Sequence, residues 1–310
     1  MSKLSVVKIK EFSIPEIELA VEKALDSIEC DKIINAKTIL IKPNLCYYWD
    51  YSTGETTDPR VVSSIIDWVR KKGDKDIKIF VVEADASAMK TKYAFKMLGY
   101  DKLCMEKKVD LINLSEGDII KEDAVVNGEK LSLPVNRLLL DSDLIINVPT
   151  LKTHRTVGFT CALKNMFGAI SKPRKYSYHK KLPETIVAIN KIVRSDIIIV
   201  DGIIASGKHP KKLGIIIAGK DATAIDKYVS KLIGFKNSQI RYLTLAIKEN
   251  LGDQKRPKIV ADSDDILYIK KEFPKPNFFV EGRLWNFLLS MLRLYVRIVG
   301  DVLPPVLEID

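Results

Sequence analysis

Four short apolar runs in this chain share one design, and that design constrains the fold more than any other feature. Ile39 to Asn44, Val81 to Asp85, Ile145 to Thr150 and Ile198 to Gly202 each read as a buried, β-favouring strand ending in polar, Pro or Gly residues. Pro149 closes the third run, because a residue without an N–H cannot extend a ladder. Helical patterns precede and separate the runs: Ile14 to Ile28, Asp58 to Lys72 with Asp58 as N-cap before Pro59, Tyr93 to Leu98, and Pro183 to Val193. Such alternation implies an α/β fold, a parallel Rossmann-like sheet with helices on both faces and right-handed crossovers. Further strands are expected at Val6 to Ile9, Val109 to Leu114, Ile215 to Ala218 and Ile266 to Ile269, and helices over Asp221 to Gly234 and Ser238 to Glu249. Ile119 to Leu133 reads as a small hairpin insertion turning at Asn127-Gly128. Residues 1–252 would form the α/β domain, as one body or as two lobes with a crevice, and residues 253–310 a C-terminal extension.

Ligands of open parallel sheets bind beyond the carboxyl ends of the strands. The densest polar set at such an end follows Pro149: Thr150, Lys152, Thr153, His154 and Arg155. Lys164 and Asn165 then interrupt an apolar helical pattern of Phe159, Leu163, Met166 and Phe167, and can be aimed back at the same place. Lys152, Arg155 and Lys164 suit a carboxylate or phosphate, since charge-assisted bonds to an anion are strong. A helix beginning soon after Arg155 would add oriented N–H groups, and Gly158 would let the backbone approach closely.

His154, His179 and His209, the three histidines of the chain, all fall in polar, Lys-rich loops, where each is either a general acid/base or a metal ligand. The catalytic candidates are His154, Lys152, Lys164 and His179. Lys42, Asn44, Thr150, Thr153, Arg155, Asn165, Arg174, Asp201, Lys208 and His209 are the candidates for holding substrate. A metal, if one is bound, would draw on His154, His179, His209 and Asp85. Asp58 and Glu83 are further carboxylate partners, although the N-cap role accounts for Asp58 fully.

The net charge of +10 over 310 residues fits an anionic metabolite, a nucleic acid or an acidic membrane surface, but the basic residues are spread along the chain as on a Lys-rich surface. The Lys- and Glu-rich, His-poor composition is thermophile-like. Cys30, Cys46, Cys104 and Cys161 form no CxxC pair, so the chain carries no local zinc or ferredoxin-type iron–sulfur motif. Cys161 is either a core thiol or one activated by a helix N-terminus. No G-x-G-x-x-G follows a strand and no GxxxxGK[ST] occurs, which leaves dinucleotide and P-loop chemistry unsupported. The N-terminus lacks a signal-peptide core, in keeping with a cytoplasmic protein.

Two stretches raise other function classes. Lys172 to Lys181 interleaves Tyr176 and Tyr178 with cations, as an RNA-stacking patch or a lid over an anion would. Gly282 to Gly300 places Arg283, Asn286, Ser290, Arg293 and Arg297 in one narrow polar stripe on an otherwise apolar helix. That helix would dock on its own domain, form a homo-oligomer with a second subunit, or lie in a membrane interface.

The ordered motifs IKPN at Ile41 to Asn44, TTDP at Thr56 to Pro59, NVPTLKTH at Asn147 to His154 and ALKNMFG at Ala162 to Gly168 resemble the "domain of unknown function 362" family. The segment from Arg174 to His179 and the run VDG…GKHPKKLG from Val200 to Gly214 add to the resemblance. It implies an α/β fold distantly similar to the lactate racemase superfamily, an oxidoreductase or isomerase activity, and redox chemistry with a separate electron-donor protein. The His and Lys residues do not match the racemase motifs one by one, so its nickel cofactor is not expected to carry over.

Overall fold

The computed structural model describes residues 2–87, 89–154, 156–207, 209–253, 255–261 and 266–275, and positions 287, 290, 291, 294 and 298. Twelve strands lie among them: β1 Lys3–Lys8, β2 Thr38–Pro43, β3 Lys78–Glu83, β4 Asp110–Asn113, β5 Ile119–Val126, β6 Glu129–Asn136, β7 Leu144–Val148, β8 Lys152–His154, β9 Gly158–Thr160, β10 Ile197–Ala205, β11 Lys211–Gly219 and β12 Lys258–Ala261. Eight form one sheet in the order β12-β1-β11-β10-β7-β2-β3-β4. From β10 to β4 every neighbouring pair is parallel, as the alternating pattern requires.

Period-two alternation decides which side chain serves which face. Leu40, Val82, Ile145 and Ile198 join a core under the helices Leu182–Ile192, Ala222–Leu232 and Arg241–Lys248. Ile39, Ile41, Val81, Ile146 and Ile199 point the other way, into a core with the helices Ile14–Ser27 and Pro59–Lys72. Both faces are therefore covered, which is why these strands read as continuous apolar runs. Asp58 caps the Pro59–Lys72 helix as expected, accepting from the Arg60 N–H at 2.9 Å.

Two departures from expectation have simple causes. β11 runs antiparallel to β10, because the few residues between them can close a hairpin but not a crossover. Ile266 to Ile269, expected as a strand, leads through a turn into the helix Ile269–Glu272, and the edge of the sheet is completed instead by β12 beside β1. The β5–β6 hairpin turns at Asn127-Gly128. A second hairpin, β8–β9, lies within the site. Among the described residues no helix is long and apolar enough to cross a membrane. In the tail, the five described positions are helical, and Phe287, Met291, Leu294 and Ile298 are 52–75% exposed.

Candidate active site

Because β10, β7, β2 and β3 are parallel neighbours, their carboxyl ends open at one edge of the sheet. Deepest there is an ion pair: Lys42 Nζ lies 3.0 Å from Glu83 Oε2 and also donates to the Pro43 carbonyl at 3.0 Å. Both side chains are buried. Glu83 also accepts the N–H groups of Ala84 and Leu45, so its remaining lone pairs are satisfied.

A relay of side-chain amides leads outward from the strands. Asn165 donates to Asn147 Oδ1 at 2.7 Å, Asn44 donates to Asn165 Oδ1 at 2.8 Å, and Lys152 Nζ donates to Asn44 Oδ1 at 3.0 Å. Lys152 is further held by Glu55, through its carbonyl at 2.6 Å and its carboxylate at 3.1 Å. The cation is thus pinned in one geometry by two residues of the loop after β2, which lie far from it in sequence.

Lys164 and His154 complete this corner, and each keeps part of its surface accessible. The Lys164 amine lies 5.8 Å over the Phe167 ring and makes no hydrogen bond or ion pair with a described residue. Burial pushes it down to about 8, with Lys152 adding to the effect and Cys46 and Glu55 opposing it. His154 is held well below its ordinary value by burial first, then by the charges of Lys164, Lys152 and His179. Its Nδ1 accepts the Thr156 N–H at 3.2 Å, which leaves Nε2 to carry the proton of the neutral ring. His179 stacks on Tyr176 with centroids 4.9 Å apart and meets Phe167 edge-on at 6.0 Å. The structure therefore brings together Lys152, His154, Lys164, His179, Asn44 and Asn165.

The other candidates are engaged elsewhere. Lys42 is spent on Glu83, so it supports the corner from beneath. Asp201 accepts from the Asp58 and Ile203 N–H groups, and burial with the neighbouring Asp58 charge raises its carboxyl. Asp85 caps Thr91 at 2.8 Å and accepts from Asn113. Thr150 meets the Thr57 hydroxyl, Thr153 donates to the Pro274 carbonyl, and Arg174 and His209 are exposed. Arg155 and Lys208 lie outside the described residues.

The helix expected after Arg155 is replaced by the β8–β9 hairpin, which Gly158 makes possible by adopting φ 89°. The helix Ala162–Asn165 starts later, and its free N–H groups at Ala162 and Leu163 are taken by the Asp226 carboxylate at 2.9 and 3.3 Å rather than offered to an anion. The same neighbour corrects the activated reading of Cys161: burial, with Asp226 beside it, raises the thiol. Tyr176 and Tyr178 spend their rings on His179 and Phe167, not on an outward stacking surface. Among the described residues no three His, Cys, Asp or Glu side chains cluster as a metal site would require: His154 and His179 share the corner, whereas His209 is exposed and Asp85 accepts from Thr91 and Asn113.

Lys175, Glu55, Asn147 and Asp226 were not among the expected site residues. Lys175 donates to the Gly168 carbonyl at 2.8 Å, and burial lowers its amine to about 8. Asn147 carried a legible signal, a polar residue inside an apolar run, whereas Asp226 lies on an amphipathic helix and Glu55 in a loop with no pattern at all.

Comparison with known proteins gives the chain a family and a fold. The chain is 26% identical over 227 residues to a thylakoid-associated protein of Synechocystis sp., covering 69% of this chain and 68% of that one. Its fold is similar to that of the lactate racemase apoprotein from Thermoanaerobacterium thermosaccharolyticum, with a TM-score of 0.53 at 14% identity. That match covers 74% of this chain and 57% of the racemase, so this chain spans little more than half of that structure. The model of the domain of unknown function DUF362 matches residues 39–231, a span that holds the whole relay from Asn147 to Lys152, and the protein belongs to that family.

Proposed function

We propose that this protein is an enzyme acting on a small or conjugated anionic substrate at the strand-end corner. One observation carries the reading: an accessible amine, Lys164, and an accessible imidazole, His154, share a corner with Lys152, and no described carboxylate pairs with Lys164. A carboxylate or phosphate entering there satisfies Lys164 and relieves the repulsion among the cations. His154, neutral before the anion arrives, offers its Nε2–H to the substrate. His179 and its loop flank the same space, held by Tyr176 and Phe167. Isothermal titration with oxalate and with inorganic phosphate tests the reading. Binding to the unmodified protein should weaken by about 1.5–3 kcal/mol in Lys164→Gln, the range for a hydrogen bond to a charged group. Unchanged binding in that variant would remove the corner from consideration. Elemental analysis and ultraviolet–visible spectra of anaerobically purified protein separate the oxidoreductase form of this proposal, with an external electron donor, from the isomerase form.

A second reading concerns the tail. Phe287, Met291, Leu294 and Ile298 recur at steps of four, three and four, so one apolar stripe faces outward. We propose that this stripe rests on a membrane surface, a reading supported by the thylakoid association of the Synechocystis relative. Vesicles containing anionic lipid should retain the full chain on flotation and lose it when residues 282–300 are deleted. Equal retention of both would refute the membrane reading.

A further inference from the structure

Four lysines surround the strand-end corner, and three of their amines are committed. Lys42 is paired with Glu83, Lys152 is held by Asn44 and Glu55, and Lys175 donates to the Gly168 carbonyl. Lys164 differs: its amine has no acceptor among the described residues and rests against the Phe167 ring. Phe167 in turn meets the edge of His179, so one side of the amine is an aromatic wall that limits water. His154 and Lys152 lie close enough for their charges to act on one another and on the amine, one a proton carrier and the other a fixed cation.

From this arrangement we infer that Lys164 forms an imine with the carbonyl carbon of its substrate, which makes the substrate class an aldehyde or ketone bearing a carboxylate or phosphate. The inference rests on the anionic-substrate proposal and adds the reacting group. The unprotonated Lys164 nitrogen attacks the carbonyl carbon, and a C–N bond forms as the C=O π bond opens. His154 donates a hydrogen bond from Nε2–H to the oxygen as charge develops there, the two hydrogens that the amine held pass to that oxygen through solvent, the C–O bond breaks as water leaves, and the imine nitrogen takes up one proton from solvent. The product is a C=N bond, protonated to the iminium, and no oxidant or reductant is consumed. Burial supports the first step: an amine near 8 has a neutral fraction at pH 8 on the order of a hundredfold larger than a surface lysine near 10.4. An iminium beside Lys152 and His154 then acts as an electron sink, and an adjacent C–H or C–C bond is weakened.

Reductive trapping of the full chain tests this. The protein is incubated at pH 8 with glyoxylate or pyridoxal 5′-phosphate plus cyanoborohydride, and the modified lysine is mapped by peptide mass spectrometry. We expect one adduct per chain, at Lys164, formed at least about tenfold faster than at any surface lysine, suppressed by oxalate, and absent in Lys164→Arg. Oxalate binding without an adduct at Lys164 overturns the imine and leaves the anion reading standing. Absence of both overturns the two together. An adduct at Lys175, or labelling spread over surface lysines at equal rates, also overturns the assignment.

Discussion

Lys42 and Glu83 form a buried ion pair, Nζ to Oε2 at 3.0 Å with side chains 0% and 4% exposed, directly beneath Gly168. A Cβ on Gly168 would come within 2.5 Å of the Lys42 amine and 2.8 Å of Glu83 Oε1. The pair thus ties β2 to β3 and sets how closely the Met166–Ala169 turn can approach them. Lys42→Met leaves Glu83 buried without its cation, and chemical denaturation should show a loss of about 3–5 kcal/mol. Gly168→Ala should cost roughly 1–3 kcal/mol by overpacking, with most of that loss absent when Lys42 and Glu83 are replaced together by apolar residues.

Asp226 anchors the short helix that carries Lys164 and Asn165, and burial raises its carboxyl to about 7. The unfolded chain returns it to the ordinary carboxylate range, so the folded state binds the proton more tightly. Its contribution to stability is therefore present below about pH 4 and is lost as pH rises through about 7. Denaturation midpoints measured from pH 4 to 8 should fall more steeply in the natural protein than in Asp226→Asn. Equal slopes would show that Asp226 does not titrate in this window.

The sheet was legible because each central strand is buried on both faces and therefore carries a continuous apolar run. The direction of β11 and the displaced strand near residue 266 were less so, since local pattern does not reveal pairing partners. The Tyr100–Lys107 helix was overlooked for a related reason: Gly99 ends one helix at φ 76° and begins the next at the same point. In the site, Lys152, His154, Lys164, Asn44 and Asn165 stand together as their motifs led us to expect. Asp226 and Glu55 reach that corner only through tertiary contacts, one from a distant helix and one from a patternless loop. Arg174 and His209 lie exposed on their loops and take no part in the hydrogen bonds of the relay.

That last point has a direct check. Arg174→Ala and His209→Ala replace exposed side chains, and each should change stability by no more than about 0.5 kcal/mol. Neither should alter oxalate binding by calorimetry. A loss of affinity in either variant would mean that its loop closes over the ligand.

The amide relay predicts a graded response. Asn165→Leu removes the bonds to Asn147 and Asn44 together and leaves Asn147 Oδ1 buried without its donor, at a cost of about 1–3 kcal/mol for the orphaned acceptor. Asn44→Ala, nearer the opening, should cost less stability but free Lys152 from one of its acceptors. Denaturation and oxalate titration on the two variants should therefore rank them in opposite orders. The same rank in both measurements would show that the relay is not organised from core to opening.

The central claim is that Lys152, Lys164 and His154 form one anion-receiving corner in which the imidazole is neutral until an anion arrives. With three histidines in the chain, nuclear magnetic resonance can follow each ring through a pH titration. In the free protein His154 should titrate well below 6.5, and saturating oxalate should raise it while leaving His209 unmoved. A His154 that titrates near 6.5 and ignores oxalate would contradict the account.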